Sequence, residues 1–102
     1  MILTIDSTSR EKVTVALDDK KIIEEQKLGS QVLLPLIVKI LKKQKTTFAD
    51  ISEIEVNTGP GSFTGTRVGV AVANALGFAL NIPVNGKKGK IALPKYEKSK
   101  FD

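Results

Sequence analysis

Gly59–Val84 reads GPGSFTGTRVGVAVANALGFALNIPV. Three glycines within Gly59–Gly65 let the backbone turn sharply, and the alanine- and glycine-rich run that follows has no proline until Pro83. The stretch therefore predicts a glycine-rich turn that launches a helix over Thr66–Leu80. Glu53–Asn57 (EIEVN) alternates apolar and polar residues just upstream, and Ile82–Val84 is a short apolar run just downstream. Both read as strands. A strand–turn–helix–strand unit of this kind belongs to an α/β sheet.

Working towards the N-terminus, Ile2–Asp6 (ILTID) reads as a buried strand ending in a carboxylate. Lys12–Leu17 (KVTVAL) is alternating and β-branched, and Lys21–Gln26 (KIIEEQ) is a weaker third strand. The polar Asp18-Asp19-Lys20 between them predicts a hairpin. Ser30 is suited to cap a helix over Gln31–Gln44, with Pro35 near its first turn, where proline is tolerated. Asp50–Ser52 reads as a turn. The order is βββαβα plus a short strand, which predicts one α/β lobe over 1–86, a mixed five-stranded sheet with helices packed on it. The basic tail spans 87–102.

The 102 residues contain no cysteine and no histidine. That excludes disulfides, thiolate nucleophiles and the commonest metal ligand and general base near neutral pH. Val32–Leu41 is too short to span a bilayer and is interrupted by Pro35 and Lys39, and Met1–Asp6 has no leader-like pattern. A cytoplasmic protein without membrane association is expected. Asn85–Asp102 holds six lysines against Glu97 and Asp102, so it carries +4 of the chain's net +5. Such a run is either a solvated tail or a track for an RNA backbone.

Two candidate sites stand out. The first combines Asp6 and Thr8 at the end of the first strand with the loop residues Gly59, Gly61, Ser62 and Gly65. Hydroxyls, a carboxylate and exposed amides at a helix N-terminus can hold a metal-phosphate group, and they can equally form a capped tight turn. Neither a GK[ST] ending nor a GxGxxG spacing is present. The second site is the helix surface. Gly69, Ala73 and Gly77 recur every fourth residue, flanked by Leu76 and Leu80, and only Arg67 and Asn74 mark a polar edge. A helix that is apolar nearly all round must be covered on two sides. The first helix has the same excess, so the pair is expected to leave a patch that marks an interface.

ILTIDST at the start, SQVLLPLI opening the first helix and GPGSFTGTRVGVAVANALGFALNIPV together resemble the TsaB family. The likeness covers Ile2–Gly86. It implies the RNase H-like lobe of the actin, Hsp70 and sugar-kinase superfamily, without catalytic residues and with no cofactor. It also implies a non-catalytic subunit that binds a TsaD-like threonylcarbamoyltransferase through its first two helices. A TsaE-like ATPase would join that complex, and the tRNA would be served indirectly. The interface positions carried over are Leu33, Leu34, Ile37 and Leu41 with Gly69, Ala73, Leu76, Gly77 and Leu80. TsaD itself needs a histidine-containing metal motif, which favours the TsaB branch. Gly29 stands where the family commonly has a histidine, and a second lobe is lacking. A minimal form or a truncated chain is therefore expected, with the strand-end site vestigial. A nucleotide-binding remnant and a homodimeric interaction protein are the alternatives.

Overall fold

The computed structural model describes residues 1–9, 11–25, 33–61, 63–87 and 92–93. Four strands form the sheet: β1 (Ile2–Asp6), β2 (Lys12–Leu17), β3 (Lys20–Glu25) and β4 (Glu53–Val56). Helix α1 (Leu33–Lys43) lies between β3 and β4, and α2 (Phe63–Leu80) follows β4. The strand order is β3-β2-β1-β4. β1 pairs antiparallel with β2 and parallel with β4, so the sheet is mixed.

Alternation in the strands decides which face is buried. Leu3 and Ile5, Val13, Val15 and Leu17, and Ile54 and Val56 all point to one side and are buried there. On α1, Leu33, Leu36, Ile37, Ile40 and Leu41 fall at the spacing of one helical stripe and are buried with them. On α2 the buried residues are Gly65, Thr66, Gly69, Val70, Ala73 and Gly77. The core thus sits between one sheet face and two helices.

Local signals explain the joints. Leu17 and Lys20 are paired across Asp18-Asp19, a two-residue hairpin loop in which Asp18 takes a positive φ. The Asp18 carboxylate also accepts the Ile2 amide at 2.8 Å, tying the hairpin to β1. Both helices end alike. Thr46 N–H reaches Leu41 O while Lys45 N–H reaches Lys42 O, and Ile82 N–H reaches Gly77 O while Asn81 N–H reaches Phe78 O. Lys45 and Asn81 supply the left-handed residue that this Schellman pattern needs.

Three expectations are corrected. α2 starts at Phe63, one turn before Thr66, because the glycine-rich loop tightens into the helix sooner than its composition indicates. Phe48–Asp50 forms a short 3-10 turn. The fifth strand is absent among the described residues, so the sheet has four strands, and Ile82–Val84 contributes only a single parallel bridge between Val84 and Ile54. Pro83 has no N–H for a ladder, and Asn85 and Gly86 both turn the chain through positive φ. Asn85 then finishes the sheet edge with its side chain. Its Oδ1 accepts the Val56 N–H at 2.8 Å and its Nδ2 donates to Val56 O at 3.1 Å. Ser30 as a cap, Gln26, Gln31 and most of the tail lie outside the described residues.

Candidate functional site

The strand-end site is built where β1 stops beside the loop that precedes α2. Asp6 Oδ1 accepts both the Thr8 amide, at 3.1 Å, and the Thr8 hydroxyl, at 2.7 Å. Asp6 Oδ2 accepts from Asn57 Nδ2 at 3.1 Å, and Asn57 Oδ1 in turn accepts the Gly59 amide at 3.0 Å. Asp6 thus ties β1 to the end of β4, and Asn57 carries that tie into the glycine loop. Gly59 takes φ 104° and precedes a cis peptide to Pro60. Gly61 lies against Thr8, whose carbonyl oxygen would stand 2.8 Å from any added Cβ. Only glycine lets the loop approach β1 this closely. Ser62 lies outside the described residues. Gly65 accepts a buried hydrogen bond of 2.6 Å from the Ser7 hydroxyl.

An open cleft of about 550 Å³ beside Asp6 is lined by Thr4, Glu55, Asn57 and Asn85, with Ile5 and Val56. Among the described residues no three metal-ligating side chains come together. Burial pushes the Asp6 carboxyl up, but the hydrogen bonds from Thr8 and Asn57 and the charge of Lys12 outweigh it, and the net pKa lies below the ordinary value. The ionised form is therefore favoured by folding. That contribution to stability is complete above about pH 4 and is lost as pH falls through the lower native value. Thr8→Val, which deletes the hydroxyl donor, is expected to raise the Asp6 midpoint in a carbon-detected NMR titration; an unmoved midpoint would refute this account of the carboxylate. Thr66 is fully buried near the start of α2, and its hydroxyl has no hydrogen-bond partner among the described residues.

The helix-surface expectation needs a correction. Gly69 faces Ser7 and Ile5, and Gly77 faces Val84, so the small-residue stripe receives the sheet. Ala73, between them, is fully buried, and so are Leu33, Ile37 and Leu41 on α1. These six positions belong to the intramolecular core. Leu76 and Leu80 are half-buried, and Leu34 is 48% exposed. The opposite side of α2 is the open one: Ala71, Ala75 and Ala79 are exposed, and Phe78 is 91% exposed.

Phe78 was not among the expected site residues. Its signal was available in the sequence, as the one aromatic side chain in a run of alanine, valine and glycine after Phe63. Asn74 also has a role its polarity did not reveal, because it pairs with the backbone of Ala92. No helix among the described residues is long and apolar enough to cross a membrane.

Comparison with known proteins gives a consistent picture. Residues 24–87 match the family model described as TsaD, tRNA N6-adenosine threonylcarbamoyltransferase. The chain is 36% identical over 91 residues to the tRNA threonylcarbamoyladenosine biosynthesis protein TsaB of Buchnera aphidicola subsp. Schizaphis graminum, covering 84% of this chain and 43% of that one. It is 36% identical over 90 residues to the TsaB of Escherichia coli, covering 83% and 38%. Among solved structures, YeaZ from Pseudomonas aeruginosa superposes with a TM-score of 0.69 at 28% identity, covering 81% of this chain and 41% of that chain. A second structure, described as an uncharacterized protein with similarity to peptidase YEAZ from Pseudomonas aeruginosa, gives the same TM-score of 0.69. The chain thus spans roughly two fifths of the relatives it matches, 43% and 38% of the two TsaB proteins.

Proposed function

The chain belongs to the family described as TsaD, tRNA N6-adenosine threonylcarbamoyltransferase, in its TsaB/YeaZ-like branch, and on that premise we propose that it is a dimerisation subunit without catalytic residues of its own. Its RNase H-like lobe, residues 1–86, docks on a TsaD-like partner and supports threonylcarbamoyl-adenosine modification of tRNA. A TsaE-like ATPase joins through that complex, the tRNA is met indirectly, and the setting is the cytoplasm. The basic tail, 87–102, follows the lobe in the sequence.

The observation that carries this reading is the outer face of α2. Ala71, Ala75, Phe78 and Ala79 form an exposed apolar surface on a helix whose other side already holds the core. Exposed apolar surface of this kind marks protein contact sites. Alanines four residues apart let a second helix approach closely, and a protruding aromatic is the residue type that dominates interface energetics. The family match spans both α1 and α2, so a TsaD-like partner carries an equivalent helix pair. Like surfaces can then meet about a pseudo-two-fold axis. The same surface also supports self-association when the partner is absent.

The lack of chemistry is supported by residues as well. Both Asp6 carboxylate oxygens are committed to Thr8 and Asn57, which suits a structural tie better than a ligand-holding group. Titration of the full chain with the TsaD protein of the same source is expected to give a heterodimer at micromolar concentration or tighter. No binding at that concentration would sink the proposal.

A further inference from the structure

The two edges of the sheet are finished differently. Beyond β4, Val84 bridges to Ile54, and the Asn85 side-chain amide pairs with both backbone groups of Val56. β3 ends the other side of the sheet, and no strand among the described residues pairs with its far edge. A free edge offers a row of backbone N–H and C=O groups to another strand, and lysines placed on it are a common guard against such pairing.

β3 reads KKIIEE, with two lysines at one end and two glutamates at the other. Laid antiparallel on a second copy of itself, this strand meets its own charges in reverse. Its lysines then have opposite charges to face, not only like ones to repel. Symmetry narrows the register. Residues opposite each other in an antiparallel pair share a face of the sheet, and a two-fold axis between identical antiparallel strands stands perpendicular to that sheet. Opposed positions therefore come both from the outer set or both from the inner set. Ile22 is partly buried against the core, so positions 21, 23 and 25 alternate onto the outer face. Lys21 is exposed there, and Ile23 is 51% exposed. With Ile23 opposite its counterpart in a second copy, position 21 stands opposite position 25 on both sides of the axis. Lysine then faces glutamate twice, around a central apolar pair. Opposite charges directly across two strands stabilise the pairing, and like charges there destabilise it.

We propose that β3 is a self-association edge. Two copies of this chain pair antiparallel through β3, centred on Ile23, and join their sheets into one continuous sheet. α2 packs on β1 and β4, at the other end of the strand order, so this pairing leaves its outer face open. The proposal does not rest on the docking reading above.

Sedimentation equilibrium of the full chain at low salt tests it, with Phe78→Asp introduced so that contacts through α2 do not contribute. That chain is expected to dimerise, and more weakly as salt is added. Adding Lys21→Glu or Glu25→Lys sets like charges opposite each other twice, and each is expected to weaken dimerisation about tenfold. The Lys21→Glu/Glu25→Lys double variant restores the pairing and is expected to dimerise as the parent does. A mixture of the two single variants is expected to associate more tightly than either alone. Recovery of this kind cannot come from a general loss of stability, and if one single variant fails to fold, the double variant carries the test. Several results would overturn the proposal: a Phe78→Asp chain that stays monomeric, dimerisation indifferent to both single reversals, or a double variant no better than the singles. Binding to TsaD is measured separately and is decided by the docking reading alone.

Discussion

Gly69→Val is expected to destabilise the lobe by about 3 kcal/mol or more, as measured by urea unfolding. A Cβ at position 69 would run into the Ser7 hydroxyl and come within 3.5 Å of the Ile5 side chain. Ser7 cannot swing away freely, because it is buried and donates its hydroxyl to Gly65 O at 2.6 Å. Moving it leaves a buried acceptor unpaired, at a cost of about 1–3 kcal/mol, and the branched side chain adds an overpacking cost of similar size. Gly69→Ala makes a sharper test of sign. On helix propensity alone it would stabilise a helix interior by about 1 kcal/mol. Against Ser7 it is expected to destabilise, and Ser7→Gly in the same chain is expected to recover part of the loss. A Gly69→Ala protein as stable as the parent would refute the close approach of α2 to Ser7 at the end of β1.

Phe78→Asp is expected to weaken binding to the TsaD-like partner by about 100-fold or more, while leaving the fold intact. An aromatic anchor removed from the centre of an interface costs at least about 2 kcal/mol, and a carboxylate in its place must also be desolvated or left facing apolar surface. Because the side chain is 91% exposed, its replacement removes almost no packing from the lobe itself. Changes at such surface positions ordinarily stay within about 0.5 kcal/mol of the parent's stability. Calorimetric titration and thermal unfolding of the same sample separate the two effects. Retained affinity would place the contact elsewhere on the molecule. Loss of affinity together with loss of fold would be uninformative for position 78, and for that reason the buried Ala73 is the wrong place to probe docking.

Most of the fold was legible in local signals. Ile2–Asp6 is a short apolar run and Lys12–Leu17 alternates, and one face of each is buried. The inward face of α1 was not legible, because Leu34 and Val38 widen its apolar surface beyond the buried stripe of Leu33, Leu36, Ile37, Ile40 and Leu41. Asp6 and Thr8 lie beside Gly59 and Gly61, because strand ends and the loop after a neighbouring parallel strand lie at the same edge of the sheet. Their wiring was not legible. Asn57 is a polar residue at a strand end like many others, and only the parallel pairing of β1 with β4 brings it to Asp6.

By itself, then, the sequence determined the strand–helix order, the loop that needs glycine and the family likeness carried by GPGSFTGTR. Tertiary structure decided which side of α2 is inside. Apolar residues surround that helix, so periodicity has no polar face to point with. The choice falls to steric fit: β1 and Val84 approach α2 so closely that only Gly69, Ala73 and Gly77 can face them. That places the alanines and Phe78 outward, where a partner can reach them.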